Sequence, residues 1–250
     1  MCSDSQAGFW LALVVRSAFL AAAVTVLAMP ERANARDGIG HGSCCGRQDV
    51  ILIRGGAGYW PGIGELAARL ERSGFAPTIV QCWEHRAVAD EIAAAVRQGR
   101  MPGGVVIVGY SSGADAACHM ARRLKSHGVR VDTLVLIEST LGTEVPSNVR
   151  YCINYYESRA LDVIPVFRGV PVARAGRGTQ IVNVNVGRHP GLESLAALNH
   201  FTVPNSPQLH SMVVSIAQSR HAARVMYVPH GDIAVTEIGV APPSQASLRQ

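Results

Sequence analysis

Charged side chains are scarce in this 250-residue sequence: 16% of residues are Asp, Glu, Lys or Arg, against 48% hydrophobic ones. A chain so low in charge and rich in apolar residues buries a core, which excludes an extended disordered protein. No internal repeat recurs, so a solenoid is not expected. Lys and Arg exceed Asp and Glu by 23 to 18, yet the basic residues are scattered and no basic stripe interleaved with aromatics appears. No nucleic-acid site is therefore read. The positive balance bears only on long-range attraction to anionic surfaces or acidic substrates. Cys44-Cys45 has no matching pair with metal-ligand spacing elsewhere, which speaks against a zinc site.

An uninterrupted membrane-length apolar run is missing too, because Arg16 divides Phe9–Val15 from Ser17–Met29. The second stretch is followed by Pro30 and by Ala33-Asn34-Ala35, the small-residue pattern of a cleaved signal peptide rather than an anchor. Residues 1–35 are expected to be a leader, the mature chain to begin near Arg36 without a stable membrane span, and the protein to be exported, periplasmic or secreted. Cys44, Cys45, Cys82, Cys118 and Cys152 would remain. Five cannot all pair; an oxidising compartment allows one or two disulfides of unassigned connectivity.

After a loop-like stretch at 36–48, β-branched runs alternate with amphipathic helical patterns. Strands are expected at Asp49–Ile53, Thr78–Cys82, Val105–Val108, Thr133–Ile137, Val149–Tyr155 and Thr179–Val186. Several are continuously apolar, as strands covered on both faces must be. Helical stripes follow at Ile63/Leu66/Ala67/Leu70, Val88/Ile92/Ala95 and Ala117/Met120/Ala121/Leu124. A last helix carries Leu209, Met212, Val213 and Ile216 after a Ser206 cap and Pro207 at its first position. This alternation predicts an α/β fold, a mostly parallel sheet with helices on both faces. The domain is bounded at residues 49–221, with a peripheral tail at 222–250.

The run Gly104-Val-Val-Ile-Val-Gly109-Tyr110-Ser111-Ser112-Gly113 passes from a buried strand into a helix. In that context G-x-S-x-G is a nucleophile elbow: the turn strains the serine backbone, and the two glycines let strand and helix approach closely. Ser111 is the candidate nucleophile. The helix aims its first amides and positive dipole end at the same point, so the Ser112 N–H is a candidate oxyanion donor. Without chemistry, the same run reads as a tight strand–helix turn in which Ser112 caps the helix. A second donor is expected after the first strand, in Arg54-Gly55-Gly56-Ala57-Gly58, at the Gly56 N–H or its neighbour Ala57.

From about Asp49 to Ala217 the chain resembles the α/β-hydrolase superfamily, in particular small bacterial exported lipase- or thioesterase-like serine hydrolases. The resemblance rests on Ile53-Arg54-Gly55, on Gly109-Tyr-Ser111-Ser-Gly113, and on Val145-Pro-Ser-Asn148-Val149 leading to Asn154-Tyr155-Tyr156. It rests also on Asn199-His200-Phe201 with Leu209-His210 beyond. It implies a triad in the chain order serine, acid, histidine. For the histidine the window offers His189 and His200, and the Asn-His-Phe setting implies His200. For the acid, Glu138, Glu157 and Asp162 stand open. The Glu138-Ser139-Thr140 run occupies the place of an Asp-Pro-Thr run in similar proteins, which points to Glu138, although a later strand is the commoner source of the acid.

The segments after Ile137 and Tyr156 leave no room for a cap domain, so an open site is expected. Tyr59, Trp60 and Tyr110 offer resting places for acyl or aryl groups, or are ordinary core aromatics. The expected function is hydrolysis of carboxylic esters or thioesters through an acyl-enzyme, on a small-molecule or lipid-like acyl substrate with no metal or organic cofactor. The alternative from another class is an exported binding or accessory protein that keeps the fold without turnover.

Overall fold

In the computed structural model of the protein, the residues described are 47–101, 104–157, 168–174 and 178–226, with side chains only to 219. The leader, Cys44, Cys45, Asp162 and the tail beyond 226 lie outside them. Six strands form one sheet: β1 (Gln48–Ile53), β2 (Phe75–Val80), β3 (Val105–Tyr110), β4 (Val131–Ile137), β5 (Val149–Tyr156) and β6 (Gln180–Asn185), in the order β2-β1-β3-β4-β5-β6. Every neighbouring pair is parallel. The helices are α1 (Ile63–Arg72), α2 (His85–Arg97), α3 (Ser112–Ser126), the short α4 (Glu193–Ala196) and α5 (Pro207–Met226).

Alternation along each strand sends successive side chains to opposite faces. Ile51, Ile53, Ile107, Leu134 and Leu136 pack with α2 and α3. Val50, Leu52, Val106, Val108, Val135 and Ile137 pack with α1 and α5. Both faces are thus dry, which is why the central strands are apolar at every position. Each fully buried Ile, Leu or Val contributes about 1.5–3 kcal/mol relative to exposure.

Strand order also locates the site. The chain runs outward from β1 to the edge strand β2, then crosses back over β1 to β3 and continues the other way. β1 and β3 are therefore the neighbours at which the winding reverses, and a crevice opens beyond their carboxyl ends. The Gly55–Tyr59 loop and Ser111 follow those two ends.

Some boundaries differ from the sequence reading. β2 begins at Phe75 rather than Thr78, with Pro77 inside it. A proline breaks a central strand, but β2 is an edge strand and tolerates the missing donor. Cys82 falls in a 3-10 turn after the strand. The last helix continues to Met226, past the expected domain end at 221, and β1 starts one residue early at Gln48. Leu209 N–H reaches Ser206 Oγ at 3.5 Å, in keeping with a serine cap.

Candidate active site

Ser111 stands between β3 and α3 at φ 56°, ψ −129°, a conformation that a serine holds only when its surroundings over-determine it. Three features do so. Its N–H donates to Ile137 O at 2.8 Å, tying the turn to the end of β4. A Cβ at Gly109 would stand 2.3 Å from Gly113 O, and one at Gly113 would stand 2.4 Å from Arg54 O. Any side chain at either glycine would force strand and helix apart. Ser111 occupies the cap position of α3, yet its side chain makes no cap bond. The simple reading in which Ser112 caps the helix does not hold, because Ser112 is already its first helical residue.

The Ser111 hydroxyl is bonded instead to His200 Nε2 at 3.0 Å. His200 Nδ1 faces Glu138 Oε2 at 3.4 Å, at the long end of hydrogen bonding. Glu138 is fully buried and His200 is 3% exposed, so this contact lies away from the screening of water. Glu138 follows the last paired residue of β4 just as Ser111 follows that of β3, which puts them on adjacent strands about 4.8 Å apart. Its backbone has φ 53° and its N–H donates to Tyr155 O at 2.8 Å. The turned backbone and the longer glutamate arm together bring the carboxylate beneath the imidazole.

The other carboxylate described is placed differently. Glu157 offers its backbone N–H, which donates to Glu138 Oε1 at 3.1 Å, while its own Oε1 is so close to Gly187 that a Cβ there would approach to 2.5 Å. His189 is exposed and bonds through Nδ1 to Pro190 O at 2.8 Å.

The loop that carries His200 is braced by residues around the Gly-rich loop and the elbow. Tyr110 Oη donates to His200 O at 2.8 Å, and Trp60 Nε1 to Pro204 O at 3.0 Å. Tyr59 Oη donates to Phe201 O at 3.2 Å. Gly62 N–H donates to Asn205 Oδ1 at 2.7 Å, and buried His210 bonds through Nε2 to Pro204 O at 2.8 Å. Burial pushes the Tyr110 phenol well above its ordinary pKa, with the neighbouring Tyr59 and Glu138 adding to the effect, so it remains a donor. Trp60 and Tyr110 are therefore buried braces and offer no surface for a substrate. Tyr59, 37% exposed, and Phe201, 43% exposed, remain at the rim, with ring centroids 5.7 Å apart.

Gly56 and Ser112 face each other, since a Cβ on Gly56 would lie 3.5 Å from Ser112 Oγ. Hydrogen bonds within the loop engage the amides of Gly55, Gly58 and Tyr59; those of Gly56 and Ala57 stand outside that set. Ala57 is held at φ 54°. The first amides of α3 have no acceptor within their helix. The arrangement can thus present N–H donors from Gly56 or Ala57 and from Ser112 to an oxyanion formed on an acyl group at Ser111. The Ser112 hydroxyl itself is buried and has no partner.

Residues 65–150, from α1 to the start of β5 and including Ser111 and Glu138, match the family model of the thioesterase domain. Over that stretch the chain is similar to the thioesterase domain. No curated protein matches its sequence. In three dimensions the chain is similar to the NocB thioesterase domain, solved as a covalent complex with a fluorophosphonate nocardicin G analogue. That pair shows 14% identity and a TM-score of 0.44, covering 71% of this chain and 96% of the other. It is similar also to the RedJ thioesterase of the prodiginine biosynthetic pathway in Streptomyces coelicolor, at 12% identity and a TM-score of 0.39, over 76% of this chain and 96% of that one.

A groove of about 480 Å³ between α2 and α3 is lined by His85, Arg86, Asp90, His119, Arg122 and neighbours, none of them among the residues around Ser111. Among the described residues no group of His, Cys, Asp and Glu stands together that could hold a metal ion, and no helix is long and apolar enough to cross a membrane. Cys82, Cys118 and Cys152 are free thiols.

The residue that sequence reasoning missed is Asp115, one turn into α3 and 3% exposed. Its carboxylate accepts hydrogen bonds from the loop that follows Glu138. The signal available in the sequence was a lone carboxylate in an otherwise apolar helical stretch.

Proposed function

We propose that the hydrolase cleaves acyl thioesters and carboxylic esters through an acyl-enzyme at Ser111. The observation that carries this reading is His200, bonded at one ring nitrogen to the Ser111 hydroxyl and facing the buried Glu138 carboxylate with the other. With the Nδ1–H directed at Glu138, Nε2 faces the Ser111 hydroxyl as an acceptor and can take its proton. Ser111 Oγ attacks the acyl carbon while its proton passes to His200 Nε2. Glu138 stabilises the resulting imidazolium, and the N–H groups of Ser112 and Gly56 receive the oxyanion.

Collapse of the tetrahedral intermediate breaks the bond to the thiol or alcohol, which leaves with the proton from His200. Water then attacks the acyl-serine with His200 as base, releasing the carboxylic acid and restoring the Ser111 hydroxyl. The exposed Tyr59–Phe201 pair lies beside His200, with the Phe201 ring centroid 5.5 Å from the imidazole, and is suited to hold the apolar part of the acyl group.

The test is hydrolysis of N-acetylcysteamine thioesters and p-nitrophenyl esters of graded acyl length by wild type and Ser111→Ala. Turnover that disappears with Ser111→Ala supports the reading. A folded protein that cleaves none of them supports a binding or accessory role instead. The domain is proposed to be exported after cleavage at Ala35, and a mature product beginning at Met1 on mass analysis would contradict this.

A further inference from the structure

Asp115 lies four residues beyond Ser111, in the first turn of the helix that Ser111 begins, and its carboxylate is almost wholly out of water. A buried carboxylate is costly unless donors surround it. Here the donors among the described residues come from one short segment, the one that follows Glu138. Oδ1 accepts from Ser139 Oγ at 3.0 Å and from Thr143 Oγ1 at 3.0 Å. Oδ2 accepts from Thr140 N at 3.2 Å and from Thr140 Oγ1 at 2.9 Å. The Leu141 N–H is shared between the two oxygens at 3.3 Å from each. Bonds to an ionised acceptor are stronger than neutral ones, and Asp115 sits where a helix favours negative charge.

The consequence follows from what stands at each end of the clamp. One end is the helix whose first turn carries the nucleophile. The other begins at the residue directly after Glu138, whose backbone is in the left-handed region at φ 53° and is not held there by a glycine's freedom. The contact from Glu138 to His200 is already long at 3.4 Å, so a small shift of the 139–143 segment would open it. Beyond the clamp, Ser139 O accepts from Val170 N at 2.8 Å. Glu138 Oε1 is met by the Glu157 N–H, and these contacts fix the acid from its far side.

We propose that Asp115 is a positioning residue that locks the Glu138-bearing segment to the nucleophile's own helix and so sets the distance between acid, histidine and serine. It touches no substrate and exchanges no proton. This rests on the serine-hydrolase reading above, and the experiment separates the two.

Asp115→Asn keeps the size but loses charge and one acceptor oxygen. Thr140→Val removes one donor and is the milder variant, available if Asp115→Asn does not fold. Leu124→Ala, in the core at the far end of the same helix, serves as a control for general loss of stability. The measurements are kcat and KM on a thioester, and the spectrum of 15N-labelled histidine, in which the His200 Nδ1 signal reports its bond to Glu138. Asp115→Asn is expected to lower kcat about tenfold or more with KM little changed, and to displace the Nδ1 signal in the same direction as Glu138→Gln. Thr140→Val should do the same to a smaller extent, and Leu124→Ala should do neither. If Asp115→Asn, or Thr140→Val in its place, merely loses stability while kcat and the Nδ1 signal stay as in wild type, the proposal is overturned. Should the wild type cleave no thioester or ester, the hydrolase reading fails, while the His200 spectrum still reports whether Asp115 holds Glu138 in place.

Discussion

Tyr110, the residue before Ser111, donates a hydrogen bond from its phenol to the backbone carbonyl of His200, whose Nε2 is bonded to the Ser111 hydroxyl. One side chain on β3 therefore sets the height of the imidazole over the serine that follows it. Tyr110→Phe removes this hydrogen bond to a buried carbonyl, which costs about 1 kcal/mol. We predict a matching loss of stability in denaturant unfolding and a fall in kcat of about tenfold. Unchanged turnover would mean that the Tyr59, Trp60, Asn205 and His210 contacts hold the histidine loop without it.

Glu138→Gln keeps the shape of the side chain and removes the charge proposed to stabilise the imidazolium. We predict a loss of roughly a thousandfold or more in kcat with little change in KM. Glu157→Gln should remain within about threefold of wild type, since Glu157 serves Glu138 through its backbone N–H. Steady-state kinetics on the two variants decides the matter, and the reverse order of effects would move the acid to Glu157.

Ser112→Ala is predicted to be harmless to turnover, because the oxyanion donor proposed at this position is the backbone N–H. It should also raise stability by about 1 kcal/mol, since the buried Ser112 hydroxyl has no partner. A large fall in kcat with the fold intact would assign the hydroxyl itself to the oxyanion.

His210 is fully buried, and desolvation is the main cause that holds its pKa below the ordinary 6.5, opposed in part by its bond to Pro204 O. The folded protein keeps this ring neutral at a pH where the unfolded chain already binds the proton. Stability from this group is therefore complete above about pH 6.5 and is lost as pH falls below it. Tm measured from pH 8 to pH 5 should drop less steeply in His210→Gln, which keeps a donor for Pro204 and does not titrate. Parallel curves for the two proteins would contradict this.

Burial pushes the Cys118 thiol up to about 12 and that of Cys152 well above its ordinary value. Neither should react with a maleimide in the native protein, whereas the partly exposed Cys82 should. Labelling followed by peptide mapping reads this directly.

The elbow was legible in the sequence because the turn demands particular residue types in a fixed order, and the buried strands because both their faces are covered. Other features were hidden for physical reasons. The start of β2 was obscured by Pro77, which only an edge position excuses. Trp60 and Tyr110 looked like possible substrate contacts, and only the three-dimensional path of the 199–205 loop turns them into braces. Asp115 carries no motif of its own: its partners lie 24 to 28 residues further along the chain and are brought to it by the pairing of β3 with β4. The left-handed backbone of Glu138 follows no glycine or asparagine signal.

Ser111 is proposed to be an activated nucleophile, and the most direct measurement of this is intact mass after exposure to a fluorophosphonate. Wild type should gain one phosphonyl group, His200→Ala should react far more slowly, and Ser111→Ala should gain none. A folded wild-type protein that stays unmodified, or a Ser111→Ala protein that is modified at the same rate, would contradict it.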